Sequence, residues 1–179
     1  MSEAPDTEPR GGRPRGLVIA AVVLLGIAAL VAVAQIRTTD ESAAAPPEVT
    51  VAFPKSVEAG SVHTATFTIH NPGPRDISML FVSFSLVGVP GAEDQPQPLV
   101  EGATGERASP VVEVRPEPAA VGAGVRFAFG PLEAGESTTV EFDLRAPANP
   151  GAAANSVLVY DGRDPEIAAG VKLATTVDA

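Results

Sequence analysis

Two histidines and a few clustered carboxylates are the side chains of this sequence that could take part in chemistry. His63 and His70 are the only histidines, and they lie seven residues apart in a stretch whose alternation predicts a single strand. Because an odd separation places two strand side chains on opposite faces, we expect these histidines not to share a metal ion.

Other kinds of reactive site find little support in the sequence. The chain has no cysteine, which excludes disulfides, thiolate metal sites and a cysteine nucleophile. No serine lies in a G-x-S-x-G elbow of the kind that positions the nucleophile of a hydrolase. We therefore assign no catalytic, cofactor-binding or metal-binding residue, and we predict that the protein is not an enzyme.

The densest group of carboxylates is the segment Asp161-Gly162-Arg163-Asp164-Pro165-Glu166. Its three carboxylates at the first, fourth and sixth positions could bind Ca²⁺ together with backbone carbonyls. The spacing matches no defined calcium loop, and Asp-Gly and Asp-Pro are common turn formers, so we favour a turn and keep calcium as the alternative. We expect the pair Glu93 and Asp94 to be solvated. Met79 is the only internal methionine, too few for a copper carrier.

One apolar segment has the length of a membrane span. Residues 17–34 contain no charged or polar side chain, and the stretch Leu17 to Ile36 would form a helix about 30 Å long, the thickness of a bilayer core. Three arginines precede the segment and one follows it closely, which favours a cytoplasmic N-terminus. We predict a transmembrane helix over residues 16–37, with everything after it outside the cytoplasm.

A cleaved signal peptide is the alternative to this anchor. Ala32-Val33-Ala34 has the A-x-A pattern of a cleavage site, and the mature chain would then begin at Gln35. The apolar run is longer than the 7–15 residues usual for a signal peptide, which favours the uncleaved anchor. Either route places the remaining chain outside the cytoplasm.

The composition around the anchor divides the rest of the chain. Residues 1–15 are rich in proline, glycine and charge and predict a disordered cytoplasmic tail. Residues 38–47 predict a flexible spacer, and residues 48–179 an extracytoplasmic domain. Nineteen carboxylates and eight basic side chains follow Arg37, a formal charge of about −11 for the exported part. Such a charge argues against a nucleic-acid partner and against contact with an anionic bilayer.

Within the exported part the hydrophobic residues recur with a period of two. This alternation, with glycine- and proline-containing turns between the runs and no amphipathic helix, predicts an all-β fold: a two-sheet sandwich of seven or eight strands. Residues 88–110 interrupt the pattern as a long insertion rich in proline, glycine and acid. The predicted strands cover residues 49–53, 62–69, 77–87, 111–114, 125–129, 139–144, 156–160 and 171–177.

Two phrases resemble bacterial immunoglobulin-like domains of the cell-adhesion-related and surface-repeat type. The first is Phe67-Thr68-Ile69-His70-Asn71-Pro72-Gly73, a strand followed by Asn-x-Gly. The second runs from Pro131 to Phe142 and contains Leu-Glu-Ala-Gly-Glu-Ser followed by a strand. The resemblance implies an immunoglobulin-like sandwich, and it brings no catalytic residues with it.

We therefore expect a single-pass membrane protein that displays one interaction module for a protein or cell-envelope partner, such as an accessory subunit of a membrane assembly. The insertion 88–110 and an exposed sheet edge are the expected contact surfaces. A small-ligand or Ca²⁺ binding protein, secreted or anchored, is the alternative from a different class. The sequence leaves the partner, the oligomeric state and the pathway open.

Overall fold

The computed structural model describes residues 44–87, 95–102 and 109–179, and this part of the chain contains no helix. Within these ranges, accordingly, no helix is long and apolar enough to cross a membrane. The predicted tail 1–15, the anchor over Leu17 to Ile36 and the pair Glu93 and Asp94 lie outside the described residues. Ten strands form the domain: β1 Glu48–Ala52, β2 Ser56–Glu58, β3 Val62–His70, β4 Leu80–Leu86, β5 Val111–Arg115, β6 Ala120–Gly122, β7 Arg126–Phe129, β8 Ser137–Arg145, β9 Gly151–Asp161 and β10 Asp164–Asp178.

The strands form two sheets. The four-stranded sheet has the order β1-β3-β8-β5, and the six-stranded sheet has the order β2-β10-β9-β4-β7-β6. All neighbours are antiparallel except β2 and β10, which run parallel. The predicted all-β two-sheet sandwich is confirmed, with ten described strands in place of seven or eight. The two additional strands, β2 and β6, have three residues each, too few for the period of two to be recognised.

Phenylalanines from both sheets meet in the core. Phe142 of the four-stranded sheet lies with its ring centroid 5.1 Å from that of Phe84 and 5.0 Å from that of Phe127, both on the six-stranded sheet. The rings meet nearly edge to face, the arrangement that the aromatic quadrupole favours. Phe67 and Phe129 complete the cluster. The alternation seen in the sequence therefore directs one face of each sheet into a shared core.

The middle of the predicted insertion 88–110 belongs to this core, which corrects the interpretation of the whole segment as a surface loop. Leu99 and Val100 are each 1% exposed. The chain before them runs beside β9, where the backbone of Gln97 exchanges hydrogen bonds with Ala152 and Ala154. The buried amide of Asn155 on β9 binds the backbone of Leu99 and Val100 and so holds the segment 95–102 in place.

Candidate functional site

The two histidines lie on opposite faces of β3, as the sequence predicts. His63 shares the inward-facing side with the buried residues Ala65 and Phe67, and its Nε2 lies 2.8 Å from Ser61 Oγ. His70 faces outward, with Nδ1 3.0 Å from Ser137 Oγ. Each ring therefore has a local hydrogen-bond partner, and the two are separated by the sheet.

The acidic segment 161–166 forms the tight connection between β9 and β10. Asp161 ends β9, Asp164 begins β10, and only two residues turn between them. Asp161 Oδ1 accepts hydrogen bonds from Ser78 Oγ at 3.0 Å and from the Arg163 backbone N–H at 3.1 Å. Burial acts to raise the pKa of Asp161, but these hydrogen bonds outweigh it and hold that pKa below its ordinary value. The segment thus adopts the favoured turn.

The described residues contain no group of three or more histidine, aspartate or glutamate side chains placed to hold a metal ion. Beside the turn lies a cleft of about 170 Å³, which Arg75, Asp76 and Arg163 line together with Asp161. Asp76 Oδ1 already accepts a hydrogen bond from the backbone N–H of Ala134. The cleft is smaller than the ~300–1,000 Å³ usual for small-molecule sites.

The two phrases that resemble immunoglobulin-like domains meet at the same end of the domain. Asn71, 1% exposed, donates from Nδ2 to the carbonyl oxygens of Leu132 and Glu133, at 3.2 and 3.1 Å. Its Oδ1 accepts from the backbone N–H of Gly73. The asparagine of the first phrase therefore fixes the turn of the second, about 60 residues later in the chain. Its role is structural.

The outer face of the four-stranded sheet is polar throughout its centre. Thr64, Thr66 and Thr68 project from β3, beside Glu141 and Asp143 of β8. Arg115 of β5 bridges these carboxylates, with Nη1 2.9 Å from Asp143 Oδ2 and Nε 3.1 Å from Glu141 Oε2. Its guanidinium, together with the Thr64 hydroxyl, lowers the pKa of Asp143. We call this surface the threonine face.

The outer face of the six-stranded sheet has a different chemistry. Residues paired directly across a ladder share a face, so the pairing register gives its membership. Glu58 and Asp178 form a pair of carboxylates at the edge of this face, where β2 joins β10. The remaining outward surface, where β6, β7, β4, β9 and β10 pair with one another, carries no carboxylate, and Arg126 and Lys172 are its only charges. We call this surface the carboxylate-free face; it consists of Ala120 and Gly122 (β6), Arg126 and Ala128 (β7), Phe81, Ser83 and Ser85 (β4), Ala152, Ala154, Ser156, Leu158 and Tyr160 (β9), and Ala168, Gly170, Lys172, Ala174 and Thr176 (β10).

An apolar row crosses the carboxylate-free face. Pairing places Tyr160, which is 9% exposed, beside Phe81, with ring centroids 5.4 Å apart and planes inclined by 11°. The row continues to Ala168 on one side and, on the other, to Ala128, which is 2% exposed, and to Ala120. Leu158 in the next row is 39% exposed, and Met79 just before β4 is 43% exposed. The sequence analysis missed this surface because each residue resembles an ordinary strand residue until the register of five strands is known.

No family model matches the sequence. No curated protein matches it. Among solved structures, the chain is similar to the ASH / PapD-like domain of human CEP192 (PapD-like domain 7), with 15% identity and a TM-score of 0.39 over 76% of this chain and 86% of that chain. It is also similar to the human F-spondin reeler domain (fragment 1), with 11% identity and a TM-score of 0.39 over 79% of this chain and 99% of that one.

A further likeness is to the Pseudomonas fluorescens alkylpurine DNA glycosylase AlkC bound to DNA containing an abasic site analog. The identity is 12% and the TM-score 0.41, over 75% of this chain. The aligned region covers 31% of the glycosylase, so this chain corresponds to less than a third of that protein. At these identities and TM-scores, nothing about the function of any of these proteins transfers to this chain.

Proposed function

We propose that this protein is a membrane-anchored, extracytoplasmic interaction module without catalytic activity, and that it binds a protein or cell-envelope partner through the carboxylate-free face. One observation carries the proposal. A region with a formal charge of about −11 presents a stretch of sheet surface that has no carboxylate across five strands, with the aromatic pair of Phe81 and Tyr160 at one end of its two central strands. The partner would contact the exposed apolar residues beside this pair, Leu158 and Met79.

The two outer faces of the sandwich differ in their chemistry. In a sandwich the outward residues of both sheets normally face water and are polar, as they are on the threonine face. The centres of protein interfaces are depleted in charge and enriched in aromatic residues. The carboxylate-free face fits the second description through its low charge, the 39% exposed Leu158 and the aromatic pair beside it, of which Tyr160 is 9% exposed.

We assign the sandwich to the immunoglobulin-like class, as the two phrases suggest. The order β1-β3-β8-β5 opposite β10-β9-β4 corresponds to the A-B-E-D and G-F-C sheets of that class. The chain departs from the usual sequence of strands, because β5 joins the four-stranded sheet before β6 and β7 add to the six-stranded one. The departure falls after the long insertion.

The anchor and its orientation are tested by labelling single cysteines in the full chain. The natural sequence has no cysteine, so each substitution creates one unique site. A membrane-impermeant maleimide added to intact cells should label Glu58→Cys in the domain and leave Ser2→Cys in the tail unlabelled until the membrane is opened. Labelling of Ser2→Cys in intact cells would refute the orientation, and a mature chain that begins at Gln35 would refute the anchor.

The binding surface is tested with a matched pair of cysteine variants in the same membranes. A short photoactivatable crosslinker attached at Leu158→Cys should capture a partner, whereas the same reagent at Thr66→Cys on the threonine face should capture at least tenfold less. Equal capture from the two faces, or from the threonine face alone, would contradict the proposal. Circular dichroism of both purified variants checks that the sandwich is intact.

A further inference from the structure

We propose that a cleft at the far end of β4 binds a small uncharged molecule with an apolar body and one hydrogen-bond acceptor, such as a ketone or an ether. The cleft lies away from the β9–β10 turn, because β4 begins opposite Asp161 and ends opposite Asn155. The site goes beyond the proposed function, since a ligand there requires no partner on the carboxylate-free face. Its support comes from the lining of the cleft, from a buried amide donor and from the way the walls are fixed.

The cleft has the size and the surface of a small-molecule site. Its volume is about 380 Å³, within the ~300–1,000 Å³ usual for such sites. The apolar side chains that line it include the buried Phe84 and Val100 and the 61% exposed Leu86. Val87 and Val125, both half-buried, line it as well. A ligand seated here would therefore cover apolar surface that water now reaches.

The side-chain amide of Gln95 identifies the polar part of the ligand. Gln95 lines the cleft, and its Nε2 is buried without a hydrogen-bond partner. Within the described ranges, every other buried side-chain nitrogen or oxygen has a partner. A buried donor without an acceptor is costly, and folded proteins rarely leave one in that state. A carbonyl or ether oxygen of a ligand in the cleft would accept this hydrogen bond.

The walls of the cleft are fixed from two sides. Asn155 Nδ2 donates to the carbonyl oxygens of Ser85 at 3.0 Å and Val100 at 2.8 Å, which joins the two lining segments to each other. Near the other end, a Cβ on Gly102 would lie 2.8 Å from the carbonyl oxygen of Ala123, so these two backbones are in close contact. A ligand therefore meets walls that are already formed, which lowers the entropy cost of binding.

The charge around the cleft selects an uncharged ligand. Among the described residues that line it, Glu101 is the only charged one. The region after Arg37 has a formal charge of about −11, so its field repels an anion. A cation would lose its hydration among apolar side chains and would meet the donor of Gln95 instead of an acceptor.

Two molecules of nearly the same shape test the inference on the full chain in lipid nanodiscs. Benzophenone carries a carbonyl group between its rings, and diphenylmethane carries a methylene group in the same place. On irradiation, benzophenone should label residues 84–87 and 95–102 saturably, as located by mass spectrometry. Diphenylmethane should compete for this labelling about tenfold less well, because it has no acceptor for Gln95. No saturable labelling of these residues, or equal binding of the two molecules, would overturn the inference.

The donor is tested by Gln95→Met, which removes the amide and keeps the length of the side chain. The preference for the ketone should fall from about tenfold to about onefold. Gln97→Met is the matched control, because the Gln97 amide donates to the carbonyl oxygen of Asn149 outside the cleft, and it should leave the preference unchanged. Both molecules partition into the same lipid, so partitioning cancels between variants. An unchanged preference in Gln95→Met would refute the role of its amide and with it the proposed ligand class.

The cleft itself is tested by Leu86→Glu, which places a carboxylate at an exposed position of the lining. Both molecules should bind about tenfold more weakly, because the charge stays hydrated where the apolar ligand must sit. Val112→Glu, at a 53% exposed position of β5 in the other sheet, is the control and should bind as the wild type does. Circular dichroism checks the fold of each variant. Wild-type binding by Leu86→Glu would place the ligand elsewhere and overturn the inference, whereas partner capture from Leu158→Cys is a separate result that tests the proposed function alone.

Discussion

Replacement of Asn155 by alanine is expected to release the segment 95–102 from the core. Asn155 is fully buried on β9, and its Oδ1 accepts hydrogen bonds from the backbone N–H groups of Leu99 at 2.9 Å and Val100 at 2.8 Å. Its Nδ2 donates to the carbonyl oxygens of Val100 at 2.8 Å and Ser85 at 3.0 Å. Alanine removes all four hydrogen bonds and leaves their backbone partners buried.

The magnitude follows from those backbone groups. A buried donor or acceptor left without a partner costs about 1–3 kcal/mol, and water entering the small cavity recovers part of that cost. Two orphaned N–H groups and the weakened burial of Leu99 and Val100 should together lower the free energy of unfolding by about 2–5 kcal/mol. Domains of this size are stable by about 5–15 kcal/mol, so the loss is a large part of the total.

Urea denaturation followed by far-ultraviolet circular dichroism measures this loss in the full chain in detergent. With a slope of about 2 kcal/mol per molar urea, the midpoint should fall by about 1–2.5 M. Asn149→Ala, at an exposed turn position, is the matched control and should change stability by less than about 0.5 kcal/mol. If Asn155→Ala unfolds at the same urea concentration as Asn149→Ala, the hydrogen bonds of Asn155 do not hold the segment 95–102 in the core.

Three further perturbations test other parts of the structure. Arg115→Met should raise the pKa of Asp143 toward its ordinary value, whereas Arg126→Met should not, as measured by carboxyl titration in nuclear magnetic resonance. Because the folded pKa is the lower one, the stability that Arg115 contributes is full above the unfolded pKa and disappears as pH falls through the folded pKa. The difference between wild-type and Arg115→Met unfolding curves should therefore vanish in acid. Gly162→Ala should cost about 1–3 kcal/mol in thermal melts, because its Cβ would lie 2.5 Å from the Phe81 ring. Gly130→Ala meets nothing within 4 Å and should be neutral; similar melting of the two variants would contradict the contact. Added Ca²⁺ should leave the melting temperature unchanged, and a shift that Asp164→Ala abolishes would instead favour the calcium alternative.

The sequence predicts most of the sandwich because most strands can be recognised from the alternation of apolar and polar residues within one short segment. In β3 and β8 the alternation of apolar and polar residues matches the observed burial residue by residue, and the pair of Phe67 and Phe142 follows from it. The start of β9 is harder to predict from the sequence, since Ala152 to Ala154 have little strand propensity. β10 begins at Asp164, so part of the predicted acidic loop is a strand instead.

The features missed by the sequence analysis depend on contacts between distant parts of the chain. Leu99 and Val100 are two apolar residues in a polar segment, and their burial depends on an amide 55 residues later. The carboxylate-free face arises from five strands in one register, and no single strand reveals it. Asn71 lies inside a phrase that the sequence singles out, but two of the carbonyl groups that it binds, those of Leu132 and Glu133, lie in the other phrase.

The position of the only tyrosine gives this protein an optical probe of the carboxylate-free face. The chain has no tryptophan and a single tyrosine, so excitation that phenylalanine does not absorb produces emission from Tyr160 alone. The ring, of which 9% is exposed, stacks on Phe81 on the outer side of the sheet, away from the phenylalanine cluster of the core. Its lifetime and anisotropy therefore report occupancy of that face in the unlabelled, unmutated protein, while unfolding of the core is followed separately by circular dichroism.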